Sequence, residues 1–245
     1  MGSTNYFKNF PVISYFFGTE GEANLIQNFA VYADVIDQIR NTTTAYTKYN
    51  ILPDERPDQV SYKLYGTTDY YWTFFLMNDH LREQGWPLSN FKLFEFATKK
   101  YNERVLETKT ILSDKFAIGN DVEGLTSFAT GTIVHRNLDL GQVWVVSGNE
   151  RSFVSNEPVR TTTTEVDEII TLIGTSKRLN AGHHYENSTG DHVDIDPHVD
   201  RPSIYTEKTW YDELTKQNDN LKSIIVIKDE LIADISKSFK EAVRL

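Results

Sequence analysis

The chain has 245 residues, no cysteine and a net charge of −10 from 25 basic and 35 acidic side chains. This length suits one large domain or two to three small ones, and the 39% of hydrophobic residues is enough for a packed core. The missing cysteines exclude disulfides, thiol nucleophiles and cysteine-based zinc sites. The acidic balance argues against nucleic acid as a partner, and the short apolar runs argue against a membrane.

The N-terminal segment, residues 1–44, is predicted to be an arm that contains one helix. Within residues 25–39, apolar side chains recur at alternating steps of four and three, which is the spacing of one helical stripe. The stripe consists of Leu25, Phe29, Tyr32, Ile36 and Ile39. Two interpretations stay open: the helix packs on the chain's own core, or it packs on another subunit.

The next segment, residues 45–90, predicts a strand followed by two short helices. The stretch "TAYTKYNIL" alternates as a strand does, and "PDERPD" then supplies a turn. We expect Asp58 to cap a helix that begins at Gln59, and Gly66 to end it in the left-handed conformation. Asp69 is predicted to cap a second helix over residues 70–78, with Trp72 among its inward-facing residues.

The remainder predicts one further helix, a β-rich region and a C-terminal strand with an amphipathic helix. The helix is expected from Asn90 to about Val105, and the β-rich region extends to residue 200. Two strands are expected within residues 129–147, and a hairpin with its turn at Ser188–Gly190. In residues 201–245 a short apolar strand precedes a helix with one apolar face, formed by Leu231, Ile235, Phe239 and Ala242. The predicted fold class is therefore α+β.

Candidate chemistry is sparse in this sequence. The segment "HHYENSTGDHVDIDPHVD" places Asp194, Asp196, His198 and Asp200 at alternating positions, but Pro197 interrupts them and no calcium-loop or helical zinc motif is present. We interpret the segment as a solvated acidic loop or a subunit contact, and expect no metal and no cofactor. No catalytic motif occurs either, so we expect a protein that is not an enzyme.

The stretch "ILPDERPDQVSYKLYGTTDYYWTFFLMND" resembles the baseplate wedge subunit with a LysM-like domain of contractile-tailed bacteriophages, the myoviruses. The resemblance rests on a strand, an Arg-Pro pair, a short helix ending in Tyr-Gly and a Tyr-Trp-rich helix ending in Asn. It is clear over residues 46–90, where the matching positions are Arg56, Pro57, Tyr65, Gly66, Tyr71, Trp72 and Asn78. Together with Phe29, these residues are the candidates for the module core or for an interface.

The resemblance implies a structural virion protein of the tail baseplate, assembled in the host cytoplasm. Its implied partners are other baseplate wedge subunits and sheath-initiating subunits, in a hetero-oligomeric assembly with multiple copies per particle. The LysM-like fold implies two short helices beside a two-stranded sheet, of which only the first strand, about Tyr46 to Leu52, can be placed from the sequence. The alternative function is a peptidoglycan-binding LysM module that targets the cell wall. The charged "PDERPD" loop with its two prolines makes a poor sugar groove and ranks this alternative second.

Overall fold

A computed structural model describes residues 12–15, 24–27, 45–162, 168–199 and 203–244. Helices and strands both contribute, which confirms the α+β class. The chain divides into two compact units. The first unit combines residues 1–89 with residues 218–245, and the second unit is the continuous stretch of residues 90–217.

The elements are short and are numbered here in chain order. The strands are β1 (Val12–Tyr15), β2 (Asn24–Gln27), β3 (Tyr46–Asn50), β4 (Arg104–Thr108), β5 (Asp121–Gly124), β6 (Thr130–Asn137), β7 (Gln142–Ser147), β8 (Pro158–Thr161), β9 (Ile169–Lys177), β10 (Gly182–Glu186), β11 (His192–Val193), β12 (Thr206–Thr209) and β13 (Ser223–Ile227). The α-helices are α1 (Pro57–Tyr65), α2 (Trp72–Met77), α3 (Asp79–Gln84), α4 (Asn90–Lys100), α5 (Trp210–Asn220) and α6 (Asp229–Arg244).

The N-terminal region contains an antiparallel hairpin where the sequence predicted the beginning of a helix. Strand β2 pairs with β1 over four positions, from Val12 opposite Gln27 to Tyr15 opposite Asn24. The predicted helix over residues 25–39 is therefore wrong at its start, because Leu25 and Ile26 pair with another strand instead of continuing the stripe. The rest of that prediction, including Phe29, lies outside the described residues.

The core of the first unit lies between a two-stranded sheet and short helices. Strand β13 runs antiparallel to β3, with Tyr46 opposite Ile227 and Asn50 opposite Ser223. This strand is the partner that sequence analysis could not place. The sheet and helices α1 to α3 together bury an apolar cluster of Ile51, Val60, Phe74, Leu81, Leu221, Ile224 and Val226.

Helix α1 begins two residues earlier than predicted. Pro57 occupies its first position and Arg56 is the N-cap, so the expected cap at Asp58 is wrong. Proline suits this position because its fixed φ fits the helix. A backbone N–H at the first helical position has no acceptor within the helix, so proline loses no hydrogen bond there. The Arg56 N–H instead donates to Oε1 of Gln59 (3.0 Å). At the other end, Gly66 adopts φ 68° and its N–H donates to Tyr62 O (2.9 Å), which confirms the predicted left-handed end.

Instead of the predicted second helix over residues 70–78, the chain forms a 3-10 turn and a shorter α-helix. A 3-10 turn, Thr68–Tyr70, comes first, and its start is capped by the Thr67 hydroxyl, which accepts from the Asp69 N–H. Helix α2 follows at Trp72, and α3 begins directly after Asn78. This arrangement lets α2 bury side chains on most of its circumference, including Trp72, Phe74 and Met77.

The second unit contains a closed antiparallel barrel with the strand order β4-β7-β6-β5-β8-β9. Closure leaves no open sheet edge, and the short strands bury one set of alternating side chains inside. The interior cluster consists of Leu106, Leu112, Phe116, Val122, Ala129, Ile133, Val143, Val145, Phe153, Val159, Ile170 and Leu172. The expected strand pair within residues 129–147 is confirmed as β6 and β7.

Besides the barrel, the described part of the second unit includes helix α4, most of helix α5 and a small sheet in the order β11-β10-β12. Strands β10 and β11 form the predicted hairpin, with Gly190 at φ 86° in its turn. Helix α4 ends at Lys100, earlier than predicted, because Val105 is fully buried within strand β4. Helix α5 and strand β12 were not predicted.

The C-terminal strand and helix are confirmed as β13 and α6, but the predicted apolar face of the helix is buried only in part. Phe239 of that face is buried, together with Ile232 and Ser236, whereas Leu231 is exposed. Among the described residues, no helix has the length and apolar character that crossing a membrane requires.

Candidate protein-protein interface

Asn78 joins the helices of the first unit to strand β13. Its amide nitrogen donates to Ile225 O (2.8 Å) and to Phe74 O (2.8 Å), and its Oδ1 accepts from the Ile225 N–H (2.8 Å). The side chain is buried, and it satisfies both backbone groups of Ile225 on the edge of β13 that faces away from β3. Asn78 is therefore a structural residue of the first unit.

Tyr65 makes a second connection to β13. Its hydroxyl donates to Ile227 O (2.8 Å), and its ring contacts Tyr70 edge-on and stacks near Phe74. Burial raises the pKa of the Tyr65 hydroxyl well above its ordinary value, so it remains a proton donor. Gly66 allows the chain to turn directly after this tyrosine.

Trp72 is buried, as predicted, with 7% of its surface exposed. Its ring lies 5.1 Å from the ring of Phe239, on the C-terminal helix α6. The expectation from the sequence was packing against Leu64 and Leu76. The sequence could not indicate Phe239, because this contact joins the two chain segments of the first unit.

Most of the residues singled out by the resemblance thus lie in or against the core of the first unit. Tyr71 is half-buried against the apolar cluster, and Pro57 starts α1. Arg56 is different: its side chain is 73% exposed, and its guanidinium pairs with Asp58 (3.1 Å). Of the seven matching positions, Arg56 is the one whose side chain is mainly available to a partner.

The "PDERPD" loop is occupied by a charged network. The Glu55 carboxylate accepts from Lys63 Nζ (2.9 Å), the Tyr49 hydroxyl (2.8 Å) and the Leu52 N–H (2.9 Å). Burial alone would raise the pKa of Glu55, but these hydrogen bonds outweigh it and lower the pKa below its ordinary value. The same contacts, to Glu55 first and Tyr49 second, raise the pKa of Lys63 to about 12.

Apolar side chains are exposed on two other elements. On the hairpin, Val12 and Leu25 are 59% and 76% exposed. On α4, Phe91 is 71% exposed, and Phe94 and Phe96 are also exposed. Helix α4 instead buries Leu93 and Ala97, so its phenylalanines lie outside the core of the second unit. We call these two sets the hairpin surface (Val12, Ile13, Leu25) and the α4 surface (Phe91, Phe94, Phe96).

Sequence reasoning did not identify either surface. Leu25 of the hairpin was assigned to a predicted helix, and Phe94 was placed at helical spacing with Ala97 and Tyr101. A signal was present for α4: Leu93 and Ala97 are also four residues apart, so the sequence did not decide whether Leu93 or Phe94 lies on the buried side of the helix with Ala97.

Comparison with known proteins finds one family model that matches part of the chain. The matched stretch includes the hairpin, strand β3, helices α1 to α4 and strand β4. Residues 7–109 match the family model described as base plate wedge protein 53. No curated protein matches the chain. The match covers less than half of the chain, but it includes residues 46–90, where the sequence resemblance is clear. It supports a structural phage protein of the tail baseplate that assembles with other baseplate components, and it suggests a role without catalysis.

Proposed function

We propose that this chain is a wedge subunit of a contractile-tail baseplate and that it joins neighbouring wedge subunits through protein-protein contacts. Its partners are other wedge subunits and sheath-initiating subunits, in multiple copies per particle, assembled in the host cytoplasm. The observation that carries the proposal is the family match over residues 7–109, because this stretch contains both exposed apolar surfaces.

The hairpin surface favours a contact with another chain. A two-stranded hairpin is marginally stable in water unless it packs on something else. Within the described residues, Val12 and Leu25 expose most of their apolar area and Ile13 is also exposed. A neighbouring subunit that covered these side chains would stabilise the hairpin and bury apolar surface at the same time.

The α4 surface favours the same conclusion through its aromatic content. Large aromatic side chains are enriched at protein interfaces because they bury much area at a small entropic cost. Phe94 meets Tyr211 edge-on within the second unit, and Lys100 lies over the Phe96 ring at 5.5 Å. Phe91 has the most exposed ring of the three.

We further propose that residues 45–90 and strand β13 form a LysM-like module. Two short helices, α1 and α2, follow β3, and β13 completes an antiparallel pair with it. This is the layout that the resemblance implies. The proposed module serves assembly: the loop at "PDERPD" is held by the network of Glu55, Lys63 and Tyr49 instead of opening into a groove.

The proposal is tested by assembly of wedges from purified subunits with single-residue variants. Leu25→Asp changes the hairpin surface and Phe91→Asp changes the α4 surface. Because both positions are exposed, the variants should keep the wild-type circular dichroism spectrum and lose incorporation into the wedge. Ile118→Asp, at an exposed loop position outside both surfaces, is the matched control and should assemble.

Normal incorporation of both surface variants would contradict the proposed role of these surfaces. A parallel sedimentation assay with purified peptidoglycan should leave the chain in the supernatant. Pelleting that is competed by chitin oligomers would favour the cell-wall function instead.

A further inference from the structure

Three potential metal ligands lie on one face of the small sheet in the second unit. His184 and Glu186 are two residues apart on β10, so their side chains point to the same side of the strand. His192 on β11 stands directly opposite Glu186 in the antiparallel register. One ligand atom from each of the three residues lies within 4.8 Å of the other two.

The distances within this cluster are close to those of a metal-binding set. His184 Nε2 is 3.2 Å from Glu186 Oε1, and the rings of His184 and His192 stack at 3.8 Å between centroids. His184 and Glu186 are largely buried, with side chains 10% and 12% exposed, whereas His192 is exposed. The two inner ligands are thus held in place, and the outer one is accessible to solvent.

His184 has a neighbouring side chain that can orient its ring, and the cluster of His184, Glu186 and His192 lies beside a cavity. His183 Nδ1 lies 2.8 Å from His184 Nδ1, so the ring nitrogen of His184 that faces away from Glu186 has a hydrogen-bond partner. Metal-bound histidines usually donate from their second ring nitrogen in this way. His184 and His192 also border a cavity of about 470 Å³, which has room for water beside a bound ion.

We propose that His184, Glu186 and His192 bind a divalent transition metal, with Zn²⁺ as the best fit. Two imidazoles and one carboxylate form a donor set that suits zinc, and the hard cations Ca²⁺ and Mg²⁺ prefer oxygen ligands. His184 binds through Nε2, and water from the cavity completes the coordination. The sequence alone predicted no metal here, because it drew attention to Asp194, Asp196, His198 and Asp200.

Two lysines compete with the metal for Glu186. Lys208 Nζ is 3.5 Å from Oε2, and Lys216 Nζ is 3.5 Å from Oε1. Their side chains are partly exposed, and Asp212 and Glu213 line the same small cavity on that side. The ammonium groups therefore have other carboxylates to approach when a metal takes Glu186. Removing the two lysines should consequently tighten metal binding.

The test is calorimetric titration of the chelator-treated full-length chain with Zn²⁺, supported by the visible absorption of a Co²⁺ complex. The expected result is one ion per chain. His192→Ala should weaken binding by more than the roughly 10–100-fold that outer-shell changes cost. Because His192 is exposed, this variant should fold, and circular dichroism and thermal melting check that it does. The double variant Lys208→Met/Lys216→Met should bind more tightly than the wild type.

His198→Ala is the matched control, because His198 lines the same cavity but its Nδ1 contacts Lys109 O (2.6 Å) instead of the cluster. It should bind Zn²⁺ as the wild type does. The proposal is overturned if the wild type binds no stoichiometric Zn²⁺, or if folded His192→Ala and His198→Ala bind equally. Weaker binding by the double lysine variant would also contradict it, since that result would show the lysines supporting the site.

Discussion

The two units of this chain differ in how far apart in the sequence their paired strands lie. The six barrel strands of the second unit all come from residues 104–177, so its sheet is complete within one continuous segment. In the first unit, β3 and β13 pair although the whole second unit lies between them in the sequence. The first unit therefore depends on a contact between distant segments, and the second does not.

The connection between the units follows from this arrangement. The Asn218 side chain accepts from the Leu88 N–H (2.7 Å) and donates to Leu88 O (3.0 Å). The chain therefore leaves the first unit and re-enters it at adjacent positions. A unit such as residues 90–217 can be inserted into another where the two ends of the interrupted chain lie close together, as Leu88 and Asn218 do.

The largest expected effect comes from separating the two segments of the first unit. A fragment of residues 45–90 lacks β13 and α6, and should be unfolded by circular dichroism. A fusion of residues 45–89 to residues 218–245 through a short glycine-rich linker should fold, because Leu88 and Asn218 are in contact. A folded 45–90 fragment would contradict the dependence on β13.

Trp72→Ala should remove one of the main contacts between those segments. The ring is buried against Phe239, so its loss should lower the free energy of unfolding by roughly 3–5 kcal/mol. Urea unfolding measures the change. Tyr62→Ala, at an exposed position of α1, is the control and should change the free energy by less than about 0.5 kcal/mol. Equal effects would show that Trp72 is peripheral.

Asn78→Ala should remove the link between α2 and β13 without leaving a large cavity. The Ile225 N–H and C=O both lose their partner, and each unsatisfied group costs about 1–3 kcal/mol. The variant should be destabilised, and hydrogen exchange at the Ile225 N–H should accelerate. Asn220→Ala, at an exposed position, should leave this exchange rate unchanged. An unaltered rate in Asn78→Ala would refute the link.

Glu157→Gln changes a buried polar side chain of the second unit, as Asn78→Ala does in the first unit. The buried Glu157 carboxylate accepts from the Val154 N–H (2.6 Å), the Ser127 N–H (2.9 Å) and the Ser127 hydroxyl (3.0 Å), all within the second unit. Hydrogen bonds to a charged group contribute about 1.5–3 kcal/mol each, and glutamine can replace only part of them. In Glu157→Gln, hydrogen exchange of the backbone N–H groups of the barrel should accelerate, and the exchange rate of the Ile225 N–H should remain unchanged. Acceleration at Ile225 would show that the two units do not unfold independently.

The smallest expected effect is on the stability of the folded protein at acidic pH. The pKa of Glu55 is lowered in the folded protein, so its contribution to stability is present above its unfolded pKa and is lost as the pH falls through the folded pKa. In thermal melts between pH 6 and about pH 3, Glu55→Gln should lose less stability than the wild type. Identical pH profiles would mean that the Glu55 network does not stabilise the fold.

The sequence predicted local structure well where the signal was local. Gly66 ended a helix as expected, and the hairpin turn at Ser188–Gly190 was found because turn residues and alternating strands lie together. The pairing of β3 with β13 was missed because nothing in "SIIVI" indicates which strand it joins. The two exposed apolar surfaces were missed for a related reason: an apolar residue such as Phe91 has the same sequence signal whether it faces the core or the solvent.

Electron cryomicroscopy of baseplates assembled from a set of subunits that includes this chain shows directly whether the chain joins the wedge and what covers it. If the proposed function holds, the chain is present in the wedge, and a different chain covers both the hairpin surface and the α4 surface. That proposal would be contradicted by a baseplate that lacks the chain, or by one in which Leu25 and Phe91 both remain exposed to solvent.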